Sequence, residues 1–247
     1  MQLKRLALFA VVALVPLAAA AQFRSRTPLA AVTVEYNSHF AFTRIRYNRG
    51  SFGRGGDGWA HDYPTADRNL GAILDYITNI RVRLDGSNIL DLDDPRIFDN
   101  PIIYMSEPGY WASNEGEARN LRDYLLKGGL IIFDDFEGPA HWANMTAQMR
   151  RALPNHQFLP IDLPHDIFHA FFDIKVLDVP HPTMNVPPGY FAMFENNDPS
   201  GRMIALANWN NDLGDYWEWS AEGLYGSDPT NEAYRLGVNY IVYAMTH

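Results

Sequence analysis

Between residues 40 and 161 the hydrophobic period of the chain switches repeatedly from two to about four and back. Phe40, Phe42 and Ile45 interleave with Thr43, Arg44 and Arg46, which predicts a half-buried strand over 40–47. Leu70, Ile73, Leu74 and Ile77 recur at helical spacing and predict an amphipathic helix over 66–78, followed by a short strand at 81–84. The apolar run 102–105 lies between Pro101 and the Glu107-Pro108-Gly109 turn and reads as a buried central strand. Asn114 and Glu117 have capping-box spacing, so a helix begins there; Ala118, Leu121 and Leu125 mark its inner face. It should stop at Gly128-Gly129, where glycine adopts the left-handed conformation that ends helices. A strand over 130–133, a helix over 139–153 carrying Trp142, Met145 and Met149, and a strand over 158–161 follow. Beyond them, 190–195 and 202–207 flank Asn197-Asp198-Pro199-Ser200-Gly201 and predict an antiparallel hairpin, and a last helix runs over 229–245. Strands alternating with helices predict an α/β fold, a three-layer sandwich on a mainly parallel sheet with the hairpin near its C-terminal end.

The first 21 residues do not fit this pattern. Lys4 and Arg5, an apolar run over 6–17 and the small residues 18–21 read as a secretory signal peptide cleaved before Gln22, which directs the chain to the periplasm or outside the cell. The run is shorter than a spanning helix and contains Pro16, so no membrane anchor is expected after cleavage. The expected organisation is a signal peptide over 1–21, a lead segment over 22–38 and one domain over 39–247.

Composition narrows the chemistry. The 247 residues are 47% hydrophobic and 20% charged, ordinary values for a globular domain. The formal net charge is −9, and loss of Lys4 and Arg5 takes it to −11; with basic residues scattered, a nucleic-acid partner is not expected. There is no cysteine, which excludes disulfides, thiolate nucleophiles and cysteine-ligated metals.

In open parallel sheets the site lies beyond the carboxyl ends of the strands. That rule nominates Arg46 and Tyr47, Glu107, and the pair Asp134 and Asp135. Crowded carboxylates raise one another's pKa, so such a group can act as general acid or base, or hold a cation. The structural reading of the same residues is that the aspartates cap a helix and Glu107 pairs with an arginine. His141 stands near the start of the helix over 139–153, and His165 and His169 are four apart, a spacing metal pairs use on helices. The glutamate of a His-Glu-x-x-His motif is missing, so no residue is assigned as a metal ligand; His61 and His181 are isolated and rank lower. The glycine-rich stretch 50–58 lacks Walker spacing and reads as a surface loop, with a lid bringing Arg54 or Trp59 over a pocket as the functional alternative. Tyr216, Trp217 and Trp219 suit core packing better than sugar stacking.

Several segments together, Phe42-Thr43-Arg44-Ile45-Arg46-Tyr47, Tyr63-Pro64-Thr65-Ala66-Asp67, Ser106-Glu107-Pro108-Gly109, Gly128-Gly129-Leu130 and Phe133-Asp134-Asp135-Phe136, are similar to the bacterial family DUF4159. The resemblance extends from about residue 34 to the end. That family in turn resembles the class I glutamine amidotransferase-like fold, which implies a flavodoxin-like sheet. Amidotransferases carry a cysteine elbow where this chain has Asp134-Asp135-Phe136, so the resemblance implies no glutaminase activity. The resulting expectation is an exported protein binding a small polar or carbohydrate ligand, with no cofactor specified. Glu107, Asp134, Asp135 and His165 are the candidate catalytic residues; Arg46, Tyr47, Arg54, Trp59 and His141 are the candidate ligand contacts. The alternatives are an Asp/Glu hydrolase at the same rim, metal-assisted or not, and a module that assembles with a protein partner.

Overall fold

The computed structural model describes residues 38–49 and 57–247. The expected signal peptide, nearly all of the lead segment, and Arg54 lie outside the described residues.

Five parallel strands make up one side of a seven-stranded sheet: β1 (Thr43–Arg46), β3 (Asn88–Asp91), β4 (Ile102–Ser106), β6 (Leu130–Phe136) and β9 (Met203–Trp209). Their spatial order is β3-β1-β4-β6-β9, so the sheet grows one way from β1 and then the other, as in flavodoxin-like folds. The edge beyond β9 is antiparallel, with β8 (Gly189–Phe194) on β9 and the two-residue β7 (Leu159–Pro160) on β8. Outside this sheet, β2 (Asn48–Arg49) pairs with β5 (Trp111–Ala112).

Helices cover both faces. α1 (Thr65–Ile77), α4 (Leu213–Glu218) and α5 (Ser227–Thr246) enclose one core with Phe42, Tyr104 and Leu206. α2 (Glu115–Leu126) and α3 (Gly138–Ala152) enclose the other with Ile103, Met105 and Phe133. The expected three-layer sandwich is therefore present, since apolar side chains leave β4 and β6 on both sides. The capping box forms as its spacing predicts: Glu117 N donates to Asn114 Oδ1 at 3.0 Å and Asn114 N to Glu117 Oε2 at 2.7 Å. Gly128, at φ +120, follows the end of α2.

Two local expectations are corrected, and a third is borne out and extended. The segment 81–84 forms a single bridge, Val82 to Phe40, and the edge strand is β3 instead; its Asn88-Ile89-Leu90-Asp91 sequence has too short an apolar run to announce itself. The His165 and His169 pair does not share a helix, because Asp166–Phe168 is a 3-10 turn in which His165 Nδ1 accepts from Ile167 N. The predicted arms 190–195 and 202–207 do pair as β8 and β9, but β9 is also a parallel member of the main sheet.

Candidate functional site

The parallel register stops unevenly at β6. Phe133 pairs with Ala207 and Phe136 with Trp209, so the strand bulges at Asp134 and Asp135, and Asp135 takes the left-handed conformation at φ 58. One step along the sheet, Glu107 after β4 is also left-handed, at φ 47. Such strain in non-glycine residues concentrates where side chains are aimed for function.

The bulge sends the two aspartates into different surroundings. Asp134 is sealed from solvent, and its Oδ2 accepts from Tyr104 OH at 2.8 Å, Leu213 N at 2.9 Å and Gly214 N at 3.1 Å. Its Oδ1 accepts from Asn208 Nδ2 at 3.1 Å. Burial pushes its pKa up to about 6 while these donors pull it back. Asp134 is thus an internal anchor holding the amino end of α4 against β6, as an anion does at a helix start.

Asp135 instead faces the rim. Its Oδ2 lies 2.8 Å from His61 Nδ1 and accepts from Ser106 Oγ at 3.1 Å. Burial lifts its pKa to about 7 against the pull of His61, with Asp62 and Glu107 adding repulsion. His61 is held up at about 11, first by Asp135 and then by Asp62, whose Oδ1 is 3.2 Å from the same nitrogen.

His61 and Asp62 reach the rim because Arg44 fixes the turn that carries them. Arg44 projects from β1 into the core, where NH1 donates to Trp59 O at 3.0 Å and to His61 O at 2.6 Å, and NH2 to Asp67 Oδ1 at 2.6 Å. The Tyr63-Pro64 peptide that follows is cis. Asp62 is 0% exposed, and neither carboxylate oxygen has a hydrogen-bond donor among the described residues. Its Oδ2 comes so near Gly214 that a Cβ there would sit 2.3 Å away, so any larger residue at 214 would force Asp62 or the start of α4 to move.

Asp212 completes the group as the N-cap of α4, its Oδ1 accepting from Asp215 N at 2.9 Å. Burial first, and then the neighbouring aspartates, raise its pKa well above the usual carboxylate range. One ligand-capable atom from each of His61, Asp62, Asp135 and Asp212 lies within 4.8 Å of the others.

Around this group the remaining candidates divide. His141, in the first turn of α3, faces Glu137 at 3.5 Å and packs its ring edge on Tyr110; Glu137 is the main cause of its raised pKa, and Glu107 and Asp135 also contribute. Tyr47 is buried, its hydroxyl donating to the carbonyls of Ser106 and Glu107 at 3.0 and 2.7 Å, so it braces the Glu107 turn. Arg46 is committed to Asp91 through two hydrogen bonds of 2.7 and 2.6 Å. Trp59 packs against the α2/α3 core, with its carbonyl pinned by Arg44. His165 lies at the other end of the sheet, its ring against Phe194, which pairs with Met203 at the start of β9. Tyr216 and Trp217 are core residues.

The family model described as "Domain of unknown function (DUF4159)" matches residues 41–245. The chain belongs to this family. No curated protein matches it.

Within this DUF4159 chain, sequence reasoning ranked His61 low and missed Asp62 and Asp212 as members of the site. Asp212 follows the carboxyl end of β9, so the strand-end rule nominates it once β9 is counted among the parallel strands. Read only as a hairpin arm, β9 carries no such signal. His61 and Asp62 come from a turn whose position depends on Arg44, a contact 17 residues away in sequence that no local pattern reports.

Proposed function

We propose that this DUF4159 protein is exported and binds a small, neutral, hydroxyl-rich ligand of the carbohydrate or cell-envelope class at the rim formed by Glu107, Asp135, His61 and His141. The observation that carries the reading is the presentation of Asp135 from a left-handed bulge beside His61, whose side chain is 42% exposed. Carboxylates and imidazoles arranged in this way accept and donate hydrogen bonds to hydroxyl groups. The charge balance selects against anions: Arg44 and Arg46 are both tied to carboxylates, and the rim is acidic. Without cysteine, a thiolate glutaminase reaction has no nucleophile. The test is calorimetric titration with N-acetylglucosamine oligomers and maltotriose. Saturable binding that Asp135→Asn weakens is expected, with no binding of glucose 6-phosphate; absence of saccharide binding overturns the reading.

A hydrolytic role at the same rim has one observation in its favour, the 2.8 Å contact between an acid and an accessible imidazole. It predicts release of reducing ends from the bound oligomers, abolished in His61→Gln.

A further inference from the structure

We propose that His61, Asp62, Asp135 and Asp212 form a binding site for one divalent cation of the magnesium and manganese class. The inference concerns the floor of the rim described above and does not depend on a saccharide binding there.

Asp62 carries the argument. A carboxylate shut off from water ordinarily gathers hydrogen bonds, as Asp134 does with four donors a short distance away. Asp62 is equally buried, yet among the described residues neither oxygen accepts a hydrogen bond, and its ion-pair contact, the 3.2 Å approach of His61 Nδ1, is shared with Asp135. Leaving a buried anion in this condition is strongly unfavourable, because its lost hydration is not replaced. A bound cation removes that cost.

The spacing is that of a coordination shell. With bonds of about 2.0–2.4 Å, neighbouring ligands around an octahedral ion are about 2.8–3.4 Å apart and opposite ones about 4.0–4.8 Å apart. Here His61 Nδ1 is 3.2 Å from Asp62 Oδ1 and 2.8 Å from Asp135 Oδ2, and the four ligand atoms all fall within 4.8 Å of one another. Three carboxylates with one imidazole suit a hard or borderline ion rather than a soft one.

The ligands are also held from behind. Ser106 donates to Asp135, the backbone of Asp215 to Asp212, and Arg44 grips the carbonyl of His61. Supports of this kind fix ligand orientation in metal sites. The exposed side of His61 gives the ion a route in. A protonated His61 is the competing way to balance the charge, but it faces three carboxylates, and Arg44, which also attracts Asp62, is already paired with Asp67.

The experiment is a titration of the purified chain with Mn2+, followed by the loss of the free-ion electron paramagnetic resonance signal and by thermal melting. The expected result is one ion per chain with a rise in Tm, and at least a tenfold weaker affinity in Asp62→Asn and in Asp212→Asn, while the exposed control Asp173→Asn binds as the parent does. Asp62→Asn without the ion should melt no lower than the parent, because it removes an uncompensated charge; a purely structural Asp62 would predict the reverse. Should either aspartate variant fail to fold, His61→Gln, altered at a partly exposed side chain, supplies the same comparison. Failure of the parent to bind Mn2+ or Mg2+ at millimolar concentration overturns the proposal, as does unchanged Mn2+ affinity in the folded variants. Saccharide titrations repeated in a chelator separate the two readings: cation binding without saccharide binding leaves this inference standing and removes the earlier one.

Discussion

Arg44 and Asp67 meet at 2.6 Å with both side chains closed to solvent, joining β1 to the first turn of α1. The pair does more than neutralise charge, because the other guanidinium nitrogen holds the carbonyls of Trp59 and His61 and so sets where the rim histidine stands. Arg44→Met strands Asp67 and releases the turn, and a loss of ~3–5 kcal/mol in urea unfolding is expected. Arg44→Lys should recover part of this loss but not the His61 position, since a single ammonium cannot reproduce the fork.

Asp134 gives a second stability prediction of a different kind. Asp134→Ala leaves the Tyr104 hydroxyl, the Asn208 amide and two backbone amides without their acceptor, and each buried donor so stranded costs ~1–3 kcal/mol. The variant should be severely destabilised or fail to express in folded form, which far-ultraviolet circular dichroism and melting would report.

Gly214→Ala should damage the site while leaving the sheet intact. The added methyl would lie 2.3 Å from Asp62 Oδ2, so Asp62 or the start of α4 must move. Ligand and cation binding should weaken more than tenfold, with a stability loss of ~1–3 kcal/mol as for other overpacked positions.

Stability should fall as pH rises across the neutral range when divalent ions are chelated. Asp134 and Asp135 are raised from 3.8 to about 6 and about 7, so between about pH 4 and 7 the folded chain holds protons that the unfolded chain has lost. His61, raised from 6.5 to about 11 by its carboxylates, adds stability that is full below its unfolded value and is lost as pH climbs through the folded one. His61 and Asp135 titrate as a pair, but both act in the same direction. Urea midpoints should therefore be higher near pH 5 than near pH 9; a flat or rising profile would contradict the buried acid cluster.

Export is checked directly by mass. Expressed with its own N-terminus in a bacterium, the chain should be recovered from the periplasm or medium beginning at Gln22, without residues 1–21.

Much of the sandwich can be read from the sequence because β4 and β6 are continuous apolar runs and α1 and α2 carry an amphipathic stripe or a capping box. Those are local signals. β3 escapes because an edge strand with two apolar residues needs little patterning, and β7 shrinks to two residues for the same reason. The site was half legible: Glu107 and Asp135 stand at strand ends, where the fold class says to look. Its other half, His61, Asp62 and Asp212, comes from turns brought together by Arg44 and by the Asp134 anchor. Such long-range contacts leave no periodic trace. Asp134 and Asp135 are neighbours of one residue type, yet one is internal and the other at the rim, a division made by a bulge that composition does not encode.

The anchor at Asp134 also has a bearing on when the site comes into being. Its Oδ2 waits for amides 79 and 80 residues further along the chain, those of Leu213 and Gly214. A ribosome delivers β1, β4 and β6 well before those residues leave the exit tunnel. Until then the floor has neither Asp212 nor the glycine that makes room for Asp62, so a nascent chain lacks this floor until most of its length has been synthesised.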